Sequence, residues 1–400
     1  MKKILSALSK FHRKYKLQIM LVLGLRVCYS IWLAIVWIVI DKYIPLSEGV
    51  LWETYYNLER SSTLLGRAFI DVWLRWDAVH YMNIAAFGYE GVGVADTVFF
   101  PLYPYLVGVL SRLTSINVTL VGILTSSIAS FLSLIFLYEL VLDLFHDKRL
   151  AKWSIVCLAF YPTAFFLHAP YTDALFLSVS IGSILMMVKR KPLIAGLLVC
   201  IAGLTRAQGV LLMLPMVLYY IQDHWKEKTF LNWQEVISLV ISPLGFGIYS
   251  FIRMRYGISG FLTTYEIYSA TGFRFPFANI LYAIQDLIQS PSVLEISELI
   301  SVILFLLLLI WMVLQNQFRK HLPLMLYSAT IWLLITSKTV FYASPLQSAN
   351  RYVLHIFFAF VGLASMLLNL SWRKQKLILF LSLAACVILS GMYALWIFIG

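Results

Sequence analysis

The chain predicts an all-α polytopic membrane protein, one bundle of about eleven transmembrane helices with a long first outer loop carrying amphipathic helices. Three observations lead there. Hydrophobic residues make up 61% of the 400 positions and charged ones only 12%, and the mean hydropathy is +0.84, more apolar surface than one soluble core can bury. These residues recur in runs of membrane-spanning length. The Lys and Arg side chains behind the net charge of +12 gather at the ends of those runs, as in cytoplasmic loops facing anionic lipid, so no nucleic-acid partner is expected.

Residues 1–16 are basic and free of acid, which predicts a cytoplasmic tail. The apolar run 17–40 is too long for the core of a signal peptide and is expected to be an uncleaved first helix. Residues 41–117 then form an outer loop. Within it 99–113 is expected to be re-entrant or interfacial, because a full span there would put Lys189-Arg190-Lys191 outside. A second span, 118–142, is followed by His146, Lys148, Arg149 and Lys152 as a cytoplasmic return. Further apolar runs cover 153–168, 175–188, 193–204, 210–221, 235–252, 299–314, 322–336, 352–370 and 377–399.

One alternation places Lys189-Arg190-Lys191, Lys226 with Lys228, Arg319-Lys320, and Arg373-Lys374 with Lys376 all inside. It places outside the 41–96 loop, the Tyr171-Thr172-Asp173 turn, a break at Thr205-Arg206-Ala207-Gln208-Gly209, and the 338–351 connection. The 253–297 loop, with Arg253, Arg255, Glu266 and Arg274, also falls outside and breaks the rule mildly. An arginine at the depth of Arg206 or Arg26 must face protein, a water-filled cavity or a lipid phosphate. Cys28, Cys157, Cys200 and Cys386 lie inside apolar runs without metal-site spacing and read as small hydrophobes. With no internal repeat or linker, residues 1–400 form a single integral-membrane domain.

The ionisable groups outside the inner face gather between Arg75 and Glu90. In Arg75-Trp76-Asp77-Ala78-Val79-His80-Tyr81, Asp77, His80 and Tyr81 share one face of a helix, amphipathic enough to lie along the membrane surface. A carboxylate at the bilayer boundary can take a proton from an acceptor hydroxyl, which makes Asp77 the candidate catalytic base. The plainer alternative is an interfacial helix whose Asp77 pairs Arg75 or caps a turn. No His/Asp/Glu cluster has metal-ligand spacing, so neither metal nor cofactor is expected.

That run, continued by Ile84-Ala85, Gly88-Tyr89-Glu90 and Phe99-Phe100-Pro101-Leu102-Tyr103-Pro104, resembles the signature of the PIG-V-like mannosyltransferases. These are relatives of the second mannosyltransferase of GPI-anchor synthesis and belong to the GT-C class of integral-membrane glycosyltransferases. Further stretches match in the family's order: Tyr161-Pro162 with Pro170-Tyr171-Thr172-Asp173, then Leu204-Thr205-Arg206-Ala207-Gln208-Gly209, then Ser348-Ala349-Asn350-Arg351-Tyr352. Two positions depart from it, Asp173 where glutamate is usual and His355 where proline is common.

The resemblance implies a GT-C-like bundle that transfers a hexose, usually mannose, from a polyprenyl-phosphate carrier to a lipid or glycan hydroxyl at the outer or lumenal face, with inversion. It marks Arg75, Trp76, His80, Tyr81, Glu90, Tyr171, Asp173, Arg206, Gln208 and Arg351 as substrate-binding candidates around Asp77. Arginine suits a phosphate leaving group because it is permanently charged and binds bidentately. Each has a plainer reading: a structural Asp173–Arg206 ion pair, a snorkelling Arg351, an Asp173 that only caps a helix. The expected membrane is the plasma membrane in a prokaryote and the endoplasmic reticulum in a eukaryote. The rival reading is a transporter or flippase of a lipid-linked saccharide, which would also need a broken helix and buried charges; a non-catalytic scaffold is a third.

Overall fold

Helices dominate the computed structural model, which describes residues 2–43, 57–92, 94–256, 271–340 and 344–399; Glu266 and part of the first outer loop lie outside the described residues. Helix α1 (Lys2–Tyr43) runs through the basic tail and the first apolar run, with a kink at Tyr15. The tail is therefore not a separate segment. It docks on the next long helix, where Glu139 Oε1 accepts from Lys14 Nζ at 2.8 Å and from the Tyr15 hydroxyl at 3.1 Å. Beyond the kink α1 exposes Met20, Leu23, Val27, Ile31, Ile35 and Ile38 and buries Leu21, Leu25, Tyr29, Leu33 and Trp37. That spacing of three and four gives one lipid-facing stripe and one packed stripe.

The outer loop contributes α2 (Leu64–Phe69), α3 (Asp77–Phe87) and α4 (Leu102–Thr114). Helix α3 departs from the expected surface position: Ala78, Val79, Tyr81, Met82, Asn83, Ile84 and Ala85 are all buried. It is apolar on nearly every side because it lies inside the protein. Gly108 of α4 lets the two helices close, since a Cβ there would overlap the Ala85 carbonyl. Helix α4 has 13 residues, about 20 Å of rise and too short to cross a hydrocarbon core of about 30 Å.

The centre of the bundle is α5 (Val118–Phe145), α6 (Lys148–Ala159), α7 (Asp173–Val188) and α8 (Pro192–Thr205). Helix α7 packs between α5 and α8 and is buried along almost its whole length. Helix α8 stops where Arg206 turns extended (φ −157°, ψ 152°), and a 3₁₀ turn over Ala207–Leu212 leads into α9 (Met213–Glu227). The expected break is present. Gly209 permits it, because any Cβ would collide with the Ala202 backbone.

Then come α10 (Trp233–Ile241), α11 (Leu244–Arg255), α12 (Pro276–Gln289), α13 (Val293–Leu314), α14 (Asn316–Arg319), α15 (Leu322–Ser337), α16 (Ala349–Tyr352), α17 (Phe357–Leu368) and α18 (Trp372–Ala394). One antiparallel strand pair departs from the all-α expectation: Thr271–Phe273 with Lys338–Val340, Gly272 opposite Thr339. It ties two loops through their backbones. Among the described residues five helices are long and apolar enough to cross a membrane, or six if Ala349–His355 and Phe357–Leu368, bent by 86°, count as one span; α7, α8 and α15 are shorter apolar helices.

Candidate active site

Asp77 is the first residue of α3, where the helix dipole favours a carboxylate. Trp76, just before it, has φ 53° and ψ −124°, a strained conformation for a bulky residue. Its ring is held edge-on by Trp396 and Phe398, at centroid distances of 5.8 and 5.0 Å. Arg75 points the other way. Its Nε donates to the Ala394 carbonyl at 3.1 Å and its Nη1 to the Asp71 and Leu74 carbonyls at 2.9 Å, and its guanidinium stacks on Trp396. Arg75 thus clasps the last carbonyls of α18, and the Tyr171 hydroxyl donates to the Arg75 carbonyl at 2.8 Å. Asp71, held by Ser61 N–H and Oγ at 2.8 Å, has its carboxyl pushed up by burial.

Asp173 opens α7 and Arg206 follows α8, so the antiparallel pair brings their ends together. The Arg206 guanidinium forks onto Asp173, Nη1 to Oδ1 at 3.0 Å and Nη2 to Oδ2 at 3.2 Å, while its Nε donates to Thr172 Oγ1 at 2.8 Å. Arg351 continues the series: its Nη1 donates to Asp77 Oδ2 at 2.8 Å and its Nε lies 3.9 Å from Asp173 Oδ1. The result is an alternating chain of charge, Asp77–Arg351–Asp173–Arg206. Side-chain exposure is 0% for Asp173, 3% for Arg351 and 25% for Asp77. Asp77 is the accessible one of the two carboxylates, and its Oδ1 has no hydrogen-bond partner among the described residues.

Arg351 is delivered by a turn rather than a long helix. Ser348 caps α16 at φ 71°, and its N–H donates to Glu298 Oε1 at 2.7 Å while Ser344 Oγ donates to Oε2 at 3.1 Å. Asn350 is tied to Ser297, Ser301 and Thr163 at 2.7 Å each. The 86° bend after residue 355 then turns α16 across the end of α17.

Three residues outside the expected set complete the cluster. The Tyr352 hydroxyl accepts from Lys338 Nζ at 3.2 Å and Arg351 Nη2 at 3.3 Å, and its ring lies under Lys338 Nζ at 4.7 Å and the Arg206 guanidinium at 5.4 Å. His355 Nε2 is 3.1 Å from Arg206 Nη1 and 3.2 Å from Asp173 Oδ1, and one imidazole nitrogen serves only one of these at a time. Tyr352 stood beside Arg351 in the sequence, which was its one signal. Lys338 was legible only as the start of the 338–351 connection expected outside.

The remaining expected residues divide. Tyr81 joins the cluster through Thr172, hydroxyl to Oγ1 at 3.1 Å, and burial pushes its phenol up to about 12. Tyr171 packs under the Arg351 guanidinium at 5.2 Å. His80 instead bonds Asp96, Nδ1 to Oδ1 at 2.5 Å, and stacks on Phe99. Glu90 is exposed on the side of Tyr105 and Tyr89, outside the charge chain. Gln208 sits half-buried in the 3₁₀ turn. Arg26 faces the bundle: Ser127 Oγ, the His168 carbonyl and the Trp73 ring enclose it. No group of three His, Cys, Asp or Glu side chains converges among the described residues.

Against known proteins, residues 59–244 match the mannosyltransferase (PIG-V) family. A stretch of 141 residues is 26% identical to GPI mannosyltransferase 2 of Schizosaccharomyces pombe (strain 972 / ATCC 24843), covering 34% of this chain and 30% of that protein. The fold is similar to that of ArnT from Cupriavidus metallidurans, solved bound to undecaprenyl phosphate, with a TM-score of 0.50 at 14% identity over 82% of this chain and 75% of that one. An Archaeoglobus fulgidus oligosaccharyltransferase superposes less closely, with a TM-score of 0.45 at 12% identity over 92% and 56%. The stretch that supplies Asp77, Asp173 and Arg206 therefore carries the sequence pattern of the mannosyltransferase (PIG-V) family.

Proposed function

We propose that the protein transfers a hexose, mannose by family likeness, from a polyprenyl-phosphate carrier to a hydroxyl of a lipid or glycan acceptor at the outer or lumenal face. The observation that carries this reading is the accessible Asp77 carboxylate, with Oδ2 fixed by Arg351 and Oδ1 open. Asp77 Oδ1 takes the acceptor's proton as its oxygen attacks the anomeric carbon. The bond from that carbon to the phosphate oxygen breaks, its electron pair stays with the phosphate, and attack from the opposite side inverts the centre. Arg351 stands next to both groups and steadies the charge that moves from base to phosphate. Arg206, its donors committed to Asp173 and Thr172, holds Asp173 and through it Arg351. ArnT, which shares the fold, was solved with a carrier lipid of the class this reading requires. The transporter reading suits the cluster less well, because Asp77, Asp173 and Arg206 all sit at helix ends rather than along the middle of spans.

The test is incubation of the purified protein with polyprenyl-phosphate mannose and a lipid extract of its source, with the product identified by mass spectrometry. Asp77→Asn should lower transfer by about 10²- to 10⁴-fold, the usual worth of a positioned base, while its thermal unfolding and membrane insertion stay near wild type. Full turnover by that variant would remove Asp77 as base. No transfer from any polyprenyl-phosphate hexose by the wild type would remove the reading itself.

A further inference from the structure

We infer that Lys338 and Tyr352 form the anchor for the donor's phosphate and fit it to a single phosphate group; the inference rests on the transfer proposed above. Charge within the cluster is the first ground. Asp77 and Asp173 are each paired with an arginine, whereas Lys338 has no acidic partner within 4.0 Å among the described residues. Among the groups in direct contact, Arg206, Arg351 and Lys338 thus face two carboxylates, Asp77 and Asp173, an excess of one positive charge; Glu298, the next acid to Lys338, is bonded to Ser344 and Ser348. A sugar phosphodiester carries one negative charge, a pyrophosphate-linked sugar one more.

Hydrogen bonding is the second ground. The Tyr352 oxygen accepts from Lys338 and from Arg351, and its own O–H has no acceptor among the described residues. A phosphate oxygen beside Lys338 would take that proton in a hydrogen bond and receive the ammonium charge together. Arg351 then lies between the phosphate and Asp77, its Nη2 toward Tyr352 and its Nη1 toward the base. This is the arrangement displacement needs, acceptor on one side and leaving group on the other.

Among the described residues the Lys338 side chain bonds only Tyr352. Its strand is paired by backbone bonds, and Asn279 Nδ2 donates to the Lys338 carbonyl at 3.0 Å. As the anomeric C–O bond breaks, the phosphate changes from a monoanionic diester to a monoester that gains a second negative charge. Lys338 therefore stabilises the departing group more than the bound donor, which is the condition for raising kcat.

The experiment compares wild type with Lys338→Gln, Lys338→Arg and Tyr352→Phe, measuring kcat, the KM of each substrate, and inhibition by sugar-free polyprenyl phosphate. Lys338→Gln should weaken that inhibition by about tenfold or more, the loss expected for one charge-assisted contact. Donor KM should rise less, acceptor KM should not change, and Lys338→Arg should recover most of the loss. Tyr352→Phe should lower kcat while keeping the ring that the cations face. Wild-type inhibition and wild-type kcat/KM in Lys338→Gln, or a rise confined to acceptor KM, would overturn the anchor while leaving the transfer reading intact. Absence of both transfer and polyprenyl-phosphate binding in the wild type would sink the two together.

Discussion

Asp173 and Arg206 show how much a side chain's surroundings decide what it can do. A fully buried carboxylate with a forked guanidinium is stable only as a pair, because removing one partner strands a charge in a site without water. Arg206→Ala should therefore cost about 3–5 kcal/mol of stability, seen as a large fall in melting temperature. The double variant Asp173→Asn, Arg206→Met should regain much of that stability and none of the transfer activity. Such a split would separate holding the fold from holding the site. Arg351 differs, since its charge also serves the accessible Asp77. At this scale the sequence was informative where chemistry is local: Asp77, Asp173, Arg206 and Arg351 stood out as charges that an apolar chain has no other reason to keep. It offered Arg75 as a substrate-binding candidate and could not show its partner Ala394, 319 positions away, nor the neighbours of Lys338, which come from separate elements.

Short elements deliver the reactive groups, and their geometry depends on what grips them. Helix α16 is one turn long and owes its position to Glu298 beneath Ser348. Glu298→Ala leaves a buried N–H without its acceptor, a cost of about 1–3 kcal/mol. Transfer should fall by more than this stability loss implies, because Arg351 and Tyr352 shift together; parallel measurements of kcat and of melting will show it. Helix α3 gives the converse lesson. Its apolar residues read as a membrane-surface helix, yet they pack against α4 and α5, because periodicity tells how many faces are apolar and not what covers them. Likewise α7, α8 and α15 were legible as apolar helices, while among the described residues five or six helices are by themselves long and apolar enough to cross a membrane, against an expectation of about eleven.

Over the whole molecule, the charge chain joins positions from 77 to 351, and the family match ends at residue 244. The pattern in the matched part supplies Asp77 and the buried pair; the rest of the chain supplies Arg351, Lys338 and Tyr352. Asp77 and Asp173 each have arginine for a partner rather than another carboxylate. Transfer should accordingly persist after prolonged chelation, with equal rates before and after add-back of divalent cations. Removing residues 372–399 should abolish a folded, membrane-inserted protein, because Arg75, Trp76 and Trp73 all lean on that segment; protease resistance in membranes is the readout.

The clasp between Arg75 and the end of α18 also has a meaning in time. A ribosome delivers residue 75 long before residue 394, so the segment bearing Asp77 must wait beside the membrane while the residues between them are made and inserted. Asp77 meets Arg351 only late in that interval, and the segment is locked only when α18 arrives. The cluster is thus incomplete while the chain is being made, and a chain cut short before α18 would reach the membrane with Arg75 unclasped.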